Sequence, residues 1–283
     1  MIPAQFDYVA PATVDDAVRE LADAGDDGKV LAGGQSLLPV LRMRLAAPAK
    51  VIDIGRIAEL RGIREDGDAI VIGAMTTHYD VQRDPLVQTH LQLISLATAT
   101  VADPQVRHRG TFGGSLAHAD PAGDLLAPAL ALDAEMVVAG MDGRRTVPAA
   151  EFFTDYFTTA LSPAELLVEI RLPKYTGWHA HYEKFSISAQ AWSVVSVAAA
   201  VRTDGDTIAE ARIGLTNMAS TPVRARTVEE ALVGQRATAE NIKAAAAHAA
   251  ENTNPTTDGD ASPEFRSHLA RVLTGRAVTA AIG

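Results

Sequence analysis

The sequence predicts an α+β fold built from two domains, and three observations lead to this prediction. The chain has 283 residues, 47% of them apolar, which is enough for one large domain or two modest ones with a buried core. Composition changes at residues 175–177, so we place the domains at residues 1–176 and 177–283. In the second part, three strand patterns precede three helix patterns, and this segregation favours α+β over a doubly wound sheet.

The first domain opens with an amphipathic helix. Apolar residues from Val14 to Leu21 recur at the i, i+3, i+4 and i+7 positions, Thr13 is the expected N-cap, and Gly25 ends the helix. Strands are predicted at residues 29–32, 51–54, 70–73, 135–139, 144–147 and 166–172, and helices at 37–45, 86–100 and 125–132. Residues 107–124 are rich in glycine and predict no regular element.

The second domain is expected to hold three strands and then three helices. The strands are predicted at residues 179–185, 194–203 and 208–215, and an Asp-Gly turn at residues 204–205 joins the last two. The helices are predicted at residues 223–232, 238–252 and 262–281. Ser262 is the expected N-cap of the last helix, with Pro263 at its first position.

Composition excludes several classes of function. Asp and Glu outnumber Lys and Arg by 35 to 25, and the net charge of −10 argues against binding to nucleic acid. The chain has no cysteine, which excludes disulfides, thiolate metal sites and protein-ligated iron–sulfur clusters. The first residues lack the pattern of a signal peptide, and no apolar run approaches the ~18 residues of a membrane span. We therefore expect a cytoplasmic protein without a transmembrane segment.

Two glycine-rich segments are the strongest candidates for a functional site. The first glycine loop, residues 32–36 (Ala-Gly-Gly-Gln-Ser), follows a predicted strand, and the second glycine loop spans residues 110–115 (Gly-Thr-Phe-Gly-Gly-Ser). Paired glycines allow positive φ and let backbone amides converge on phosphate oxygens. Neither segment has the P-loop or dinucleotide fingerprint, and a single Gly-Gly pair is typical of a tight turn. Two such loops, each followed by hydroxyl residues, favour a pyrophosphate held from two sides.

A few single residues add to this picture. Asp124 closes the region of the second loop at the expected start of a helix, where it could cap the helix or accept from a ribose diol. Trp192 lies among small residues and would either fill the core or cover a flat ring. His179 and His181 share one face of a strand without a third metal ligand in view, which favours a surface or interface role.

The two loops, together with the segment Ala-His-Ala-Asp-Pro-Ala-Gly-Asp-Leu at residues 117–125, resemble the FAD-binding medium subunits of molybdenum hydroxylases. This family includes aerobic carbon monoxide dehydrogenase and xanthine dehydrogenase. The resemblance covers nearly the whole chain, including the segments at residues 6–11, 155–161, 165–173 and 213–222. It implies a two-lobed FAD-binding domain of the vanillyl-alcohol-oxidase-like type, with lobes at about residues 1–58 and 59–176. A small domain of a three-stranded antiparallel sheet with three helices would follow.

The resemblance also implies which residues bind non-covalent FAD. Residues 30–37 would wrap the pyrophosphate, the second glycine loop would hold it from the other side, and Asp124 would accept from a sugar hydroxyl. Leu167 and Lys184 would border the flavin or the adenine, while Val101 and Trp192 would lie at the ring. The implied cofactor-binding residues are Val30, Leu31, Ala32, Gly33, Gly34, Gln35, Ser36, Leu37, Val101, Thr111, Gly113, Gly114, Ser115, Asp124, Leu167, Lys184 and Trp192.

The sequence departs from the family pattern at several positions. Ser115 stands where many relatives have Asn, and Phe112 where a smaller residue is common. Trp192 stands where some relatives place a tyrosine against the flavin. Residues 185–191 lack the basic residues that are often found there. These differences leave the expected FAD site intact.

Within this family the implied role of the chain is electron transfer. A large partner subunit with a molybdenum cofactor would oxidise the substrate, and a small partner with two [2Fe–2S] clusters would relay the electrons. The flavin would pass them to quinone, oxygen or NAD. Carbon monoxide is the expected substrate of the complex, with N-heterocycles, purines or aldehydes as alternatives. The expected assembly is a dimer of heterotrimers, either free in the cytoplasm or held at the inner face of the membrane through the complex.

Two other functions remain open at this stage. A self-contained FAD oxidase of the vanillyl-alcohol type would share the fold, but it needs a substantial substrate domain, and residues 177–283 form only one small domain. A regulatory protein could bind a nucleotide without redox chemistry.

The candidate docking surface for the iron–sulfur partner is a cation cluster beside the second glycine loop, formed by Arg107, His108 and Arg109. As an alternative, each of the three could simply pair with a local carboxylate.

Overall fold

The structure is a computed structural model that describes residues 2–283. Residues 7–53, which we call the first lobe, form a small parallel sheet with two helices. Strand β1 pairs with β3, and β3 pairs with β2, all in parallel. Thr13 caps α1 as expected, and Gly25 ends that helix with a φ of 56°. The elements are β1 (Asp7–Val9), α1 (Val14–Ala24), β2 (Gly28–Leu31), α2 (Leu37–Arg42) and β3 (Lys50–Asp53).

Residues 63–173, which we call the second lobe, form an antiparallel five-stranded sheet with seven helices on its connections. Its strand order is β4-β5-β10-β6-β7, and a separate pair, β8 and β9, lies beside it. The strands are β4 (Ile63–Asp66), β5 (Ala69–Gly73), β6 (Glu135–Gly140), β7 (Gly143–Pro148), β8 (Phe153–Asp155), β9 (Thr158–Thr159) and β10 (Leu166–Pro173). The helices are α3 (His78–Arg83), α4 (Pro85–His90), α5 (Gln92–Ala99), α6 (Pro104–Arg107), α7 (Phe112–His118), α8 (Leu126–Ala131) and α9 (Ala149–Phe152).

The C-terminal part is an antiparallel sheet followed by helices, as the segregated pattern predicts. The strand order is β11-β12-β13-β14, so each strand pairs with the next one along the chain. The elements are β11 (His179–Phe185), β12 (Val195–Asp204), β13 (Thr207–Thr216), β14 (Val223–Arg224), α10 (Arg226–Leu232), α11 (Ala239–Ala246) and α12 (Pro263–Ile282).

The C-terminal sheet is buried on both faces, and this places β11 beside the first part of the chain. Successive side chains of a strand point to opposite faces. Val197, Ala199 and Val201 accordingly pack with the C-terminal helices, whereas Ala198 and Tyr182 belong to the hydrophobic core of the second lobe. Side chains on that second face of β11 therefore reach the segment that leads into α8.

Three predictions from the sequence are corrected by the structure. The helix expected at residues 86–100 is two helices, because Leu91 leaves the helical region (φ −134°, ψ 45°) and buries its side chain completely. Residues 107–124, expected to be irregular, contain the end of α6 and all of α7. Glycine disfavours a helix interior, but Thr111 caps α7 and the fully buried Phe112 anchors it. The C-terminal sheet has a fourth strand, Val223–Arg224, where the helix pattern begins in the sequence.

Of the helices in residues 2–283, none combines the length and the apolar character that crossing a membrane requires.

Candidate cofactor site

The first glycine loop connects the end of β2 to the start of α2 and leaves a run of backbone amides unpaired. Within residues 2–283, the amides of residues 33–37 donate to no backbone or side-chain acceptor. Gly34 has a φ of 77°, a conformation that L side chains rarely adopt, so the chain can turn these amides toward one side. Successive unpaired amides next to a helix start form a concavity that suits an anion.

The second glycine loop is built differently, because most of it is the first turn of α7. The amides of Phe112 and Gly113 donate to the carbonyl oxygens of Thr76 and Ala74, each at 2.9 Å. The amide of Gly114 donates to the Thr111 hydroxyl at 3.2 Å. The expectation that both loops present unpaired amides is therefore wrong for this loop, since its amides hold α7 in place. None of its glycines has a positive φ.

The two loops lie directly against each other. A Cβ atom on Gly33 would fall 2.2 Å from the Arg109 carbonyl oxygen and 2.7 Å from the Cα atom of Gly110. A Cβ on Gly114 would fall 3.4 Å from the Cβ of Ala32. Such distances leave no room for a side chain at residue 33. The glycines thus bring the end of β2 and the start of α7 into contact, and the two segments form one site.

Asp124 lies in a separate buried cluster, with a side chain that is 4% exposed. Its Oδ1 accepts hydrogen bonds from the Tyr182 hydroxyl and the Ser193 hydroxyl, each at 2.9 Å. Its Oδ2 accepts from the Lys184 ammonium at 2.8 Å. The capping alternative is wrong, because Leu125 holds the N-cap position of α8 and no side chain caps that helix.

The charge of this cluster is balanced. Burial raises the pKa of the Asp124 carboxyl, while the Lys184 ammonium and the hydrogen bonds from Tyr182 and Ser193 lower it. Burial and the charge of Asp124 raise the pKa of Tyr182 well above its ordinary value, so its hydroxyl stays protonated and donates. A buried carboxylate with an ammonium and two hydroxyl donors can remain ionised and accept one further hydrogen bond.

Lys184 connects this cluster to the segment before the second glycine loop. Its ammonium also donates to the carbonyl oxygen of Thr100 at 3.3 Å, which places the half-buried Val101 beside the cluster. The Arg107 guanidinium donates to the carbonyl oxygen of Val101 at 2.8 Å. Arg107 therefore bonds to backbone carbonyl groups and not to a carboxylate. His108 stacks on Tyr79, with ring centroids 3.9 Å apart.

The remaining residues of the expected FAD set lie in contrasting surroundings. Leu167 is 3% exposed and belongs to the core of the second lobe, so its side chain presents almost no surface. Trp192 is 57% exposed on the segment between β11 and β12, which excludes the alternative that it fills the core. Its neighbour Ser193 bonds to Asp124.

His181 bonds to Glu183 at 3.0 Å, and residues 2–283 contain no group of three potential metal ligands.

Sequence reasoning missed three residues that the structure brings to the site. Tyr182 and Ser193 complete the Asp124 cluster, and His78 packs against Gly110, where a Cβ would lie 2.8 Å from the imidazole ring. Burial and the nearby charge of Arg107 lower the pKa of His78 to about 4. One signal was available for Tyr182: it lies two residues before Lys184 on a strand, and residues two apart share a face.

Comparisons with known proteins show the family of the chain. The family described as the FAD binding domain in molybdopterin dehydrogenase matches residues 4–175, and the CO dehydrogenase flavoprotein C-terminal domain matches residues 180–281. The chain belongs to this flavoprotein family. The resemblance seen in the sequence is thereby confirmed.

Relatives of the family resemble the chain over its full length. The carbon monoxide dehydrogenase medium chain of Hydrogenophaga pseudoflava is 43% identical over 99% of this chain and 98% of its own. A subunit of the 6-hydroxypseudooxynicotine dehydrogenase complex of Paenarthrobacter nicotinovorans is 36% identical over 100% and 96%. A solved structure of the Hydrogenophaga carbon monoxide dehydrogenase has a chain with a TM-score of 0.97 at 44% identity, covering 100% of this chain and 99% of that one.

Proposed function

We propose that the chain is the FAD-binding medium subunit of an aerobic carbon monoxide dehydrogenase. Full-length similarity to a carbon monoxide dehydrogenase medium chain supports this function, and the unpaired amides of residues 33–37 carry the assignment of the cofactor. Bound FAD would accept electrons from a partner and pass them to an external acceptor. The protein's own task is to bind FAD without a covalent link and to hold it at a defined place.

The first glycine loop would bind the pyrophosphate. Its unpaired amides lie at the N-terminal end of α2, where the partial charges of a helix favour an anion. The second glycine loop would confine the other side, with the Thr111–Ser115 segment contributing a surface and the Ser115 hydroxyl. Residues 30–31 and 37 would complete the wrap around the pyrophosphate.

Asp124 and Lys184 would bind the sugar side of the cofactor. The Asp124 carboxylate can accept from a hydroxyl, and the Lys184 ammonium offsets its charge, so that the dinucleotide does not meet an uncompensated anion. Val101 adjoins this cluster and would lie near the ring together with Leu167 and the exposed Trp192. Leu167 would act through its backbone, because its side chain is packed in the core.

The rest of the catalytic cycle would take place in partner subunits. The chain has no cysteine and so cannot ligate an iron–sulfur cluster. We propose a large molybdenum-cofactor subunit and a small iron–sulfur subunit as partners, in a dimer of heterotrimers. Carbon monoxide is the proposed substrate of the complex. A relative named for 6-hydroxypseudooxynicotine is 36% identical, so an N-heterocycle is the second candidate.

The domain organisation belongs to the same proposal. We place the boundary after residue 176 and divide the first domain into lobes at about residues 1–58 and 59–176, in the manner of the vanillyl-alcohol-oxidase-like flavoproteins. The parallel sheet then lies in the first lobe and the antiparallel sheet in the second. The C-terminal domain would be a compact unit that closes the FAD site.

The cofactor assignment can be tested on the purified full chain. We expect one bound FAD per chain, seen in the visible spectrum and released free on denaturation. Gln35→Glu puts a carboxylate into the first glycine loop and should weaken FAD binding about tenfold or more through charge repulsion. Gln88→Glu, a matched change on the exposed surface of α4, should leave the affinity unchanged. Equal affinities of the two variants would contradict a pyrophosphate at this loop.

The role in electron transfer has a separate test. The isolated chain should bind FAD and yet show no turnover with carbon monoxide. Co-expressed with its molybdenum and iron–sulfur partners, it should form a stable complex in which carbon monoxide bleaches the flavin. Oxidation of carbon monoxide by the chain alone would contradict the assignment and favour a self-contained oxidase.

A further inference from the structure

The Asp124 cluster joins the two parts of the chain through a single carboxylate. Asp124 precedes α8 in the second lobe, whereas its hydrogen-bond donors Tyr182, Lys184 and Ser193 all come from β11 and the segment that follows it. A carboxylate oxygen has two lone pairs directed for hydrogen bonding. Oδ1 uses both, on the Tyr182 and Ser193 hydroxyls, whereas Oδ2 uses only one, on Lys184.

We propose that Tyr182 and Ser193 are positioning residues that occupy Oδ1 of Asp124 and thereby leave Oδ2 as the one oxygen able to accept from a sugar hydroxyl of FAD. This inference rests on the proposed FAD site and adds two residues to it. It also means that the C-terminal domain completes the cofactor site although it supplies little of the phosphate-binding surface.

The hydroxyl of Ser193 is itself held in a defined orientation. It accepts a hydrogen bond from the Ser196 hydroxyl at 2.5 Å, so its own proton is directed to Asp124. The backbone carbonyl of Ser193 accepts from the Asn217 side-chain amide at 2.9 Å. Both hydroxyls belong to buried residues, with Ser193 2% and Ser196 0% exposed. Ser196 thus donates to Ser193, and Ser193 donates to Asp124. Because these buried hydrogen bonds all run in one direction, they hold Oδ1 of the carboxylate in place.

The Tyr182 hydroxyl is also shielded from water. Tyr182 is 6% exposed, and its ring packs in the core of the second lobe. Its hydroxyl donates to Asp124 at 2.9 Å, and the buried hydroxyls of Ser196 and Thr216 lie beside it. Removal of one hydroxyl donor would free a lone pair on Oδ1 and let the carboxylate rotate. The carboxylate would then present either oxygen to a ligand, at the cost of one hydrogen bond.

The experiment measures the affinity of the full chain for FAD by flavin fluorescence in a double-mutant cycle. Tyr182→Phe and Ser193→Ala should each weaken binding about tenfold, the scale of one hydrogen bond to a charged group. Ser193→Thr keeps the hydroxyl and should restore most of the affinity. In an Asp124→Ala background, Tyr182→Phe should have less than a threefold effect, because the acceptor that it positions is gone. Tyr175→Phe, which removes another tyrosine bond to a carboxylate, should not change the affinity.

A purely structural role of the cluster gives different results. Tyr182→Phe would then lower the melting temperature of the apoprotein without a change in affinity, or it would weaken FAD equally in the Asp124→Ala background. Either result would overturn the positioning role. A wrong assignment of the FAD site itself would give a third result. The unmutated chain would then bind no FAD, and Gln35→Glu would not change the affinity.

Discussion

The two glycine loops have similar sequences, yet their backbone amides differ in hydrogen bonding. In the first, the amides of residues 33–37 are unpaired and Gly34 adopts a positive φ. In the second, the amides of Phe112 and Gly113 bond to the segment after β5, and the glycines allow that close approach. A Gly-Gly pair therefore does not by itself indicate a phosphate-binding loop. The deciding factor is whether the backbone amides of the loop already donate hydrogen bonds to other residues of the protein.

The largest expected effect comes from a side chain at the contact between the two loops. Gly33→Val should abolish FAD binding, because its Cβ would lie 2.2 Å from the Arg109 carbonyl oxygen and force the loops apart. Absorbance of bound flavin after purification measures this. Gly259→Val is the matched control, since a Cβ there meets no atom within 4 Å, and it should bind a full complement. A Gly33→Val chain saturated with flavin would remove the basis for a shared site.

The surroundings of the second loop should respond to acid, because His78 packs against it. The pKa of His78 is lowered from 6.5 to about 4, so the unfolded chain takes up a proton that the folded chain refuses. Stability should therefore be complete above pH 6.5 and fall by up to about 3 kcal/mol as the pH drops to 4. Urea unfolding at several pH values measures the effect, and His78→Gln should remove this part of the pH dependence. His108→Gln, a change at an exposed histidine near the same loop, should leave it in place.

A larger side chain inside α7 should lower the stability of the apoprotein. In Gly113→Ala the new Cβ would lie 2.5 Å from the Cβ of Ala74 and 2.6 Å from its Cα, so we expect a loss of about 1–3 kcal/mol from overpacking. Gly275→Ala in α12 is the control. Its Cβ would lie 3.7 Å from the Cβ of Ala246, an ordinary contact, so the change should stabilise the protein by ~0.5–1 kcal/mol through helix propensity. Thermal unfolding of the apoprotein distinguishes them. Equal stabilities would show that α7 tolerates displacement.

The smallest expected effect belongs to Trp192. Its side chain is 57% exposed, so Trp192→Ala should change the free energy of unfolding by less than about 0.5 kcal/mol. If the indole lies against the flavin, the same variant should raise the fluorescence of bound FAD, because stacking quenches emission. Unchanged fluorescence with unchanged stability would place Trp192 away from the ring and leave the cofactor to the two loops and the Asp124 cluster.

Local sequence patterns were sufficient for elements whose stability is local. The helix at Val14–Ala24 begins at its capping threonine and ends at its glycine, and Gly205 of the Asp-Gly turn has a positive φ between β12 and β13. The helix at Phe112–His118 was missed because glycine lowers helix propensity, while burial of Phe112 and the Thr111 cap compensate for it. Propensity is a local quantity, whereas this compensation comes from the rest of the fold.

The sequence by itself determined the mixture of strands and helices, the absence of cysteine ligands, the two glycine loops and the family to which the chain belongs. Only the tertiary structure decided which loop has amides to offer and which residues surround Asp124. Tyr182 and Ser193 lie 58 and 69 residues from Asp124 along the chain, and no periodic pattern links residues at such separations. They meet because the C-terminal sheet buries both of its faces, one of them against the core of the second lobe. Hydrogen bonding inside that contact then fixes the carboxylate.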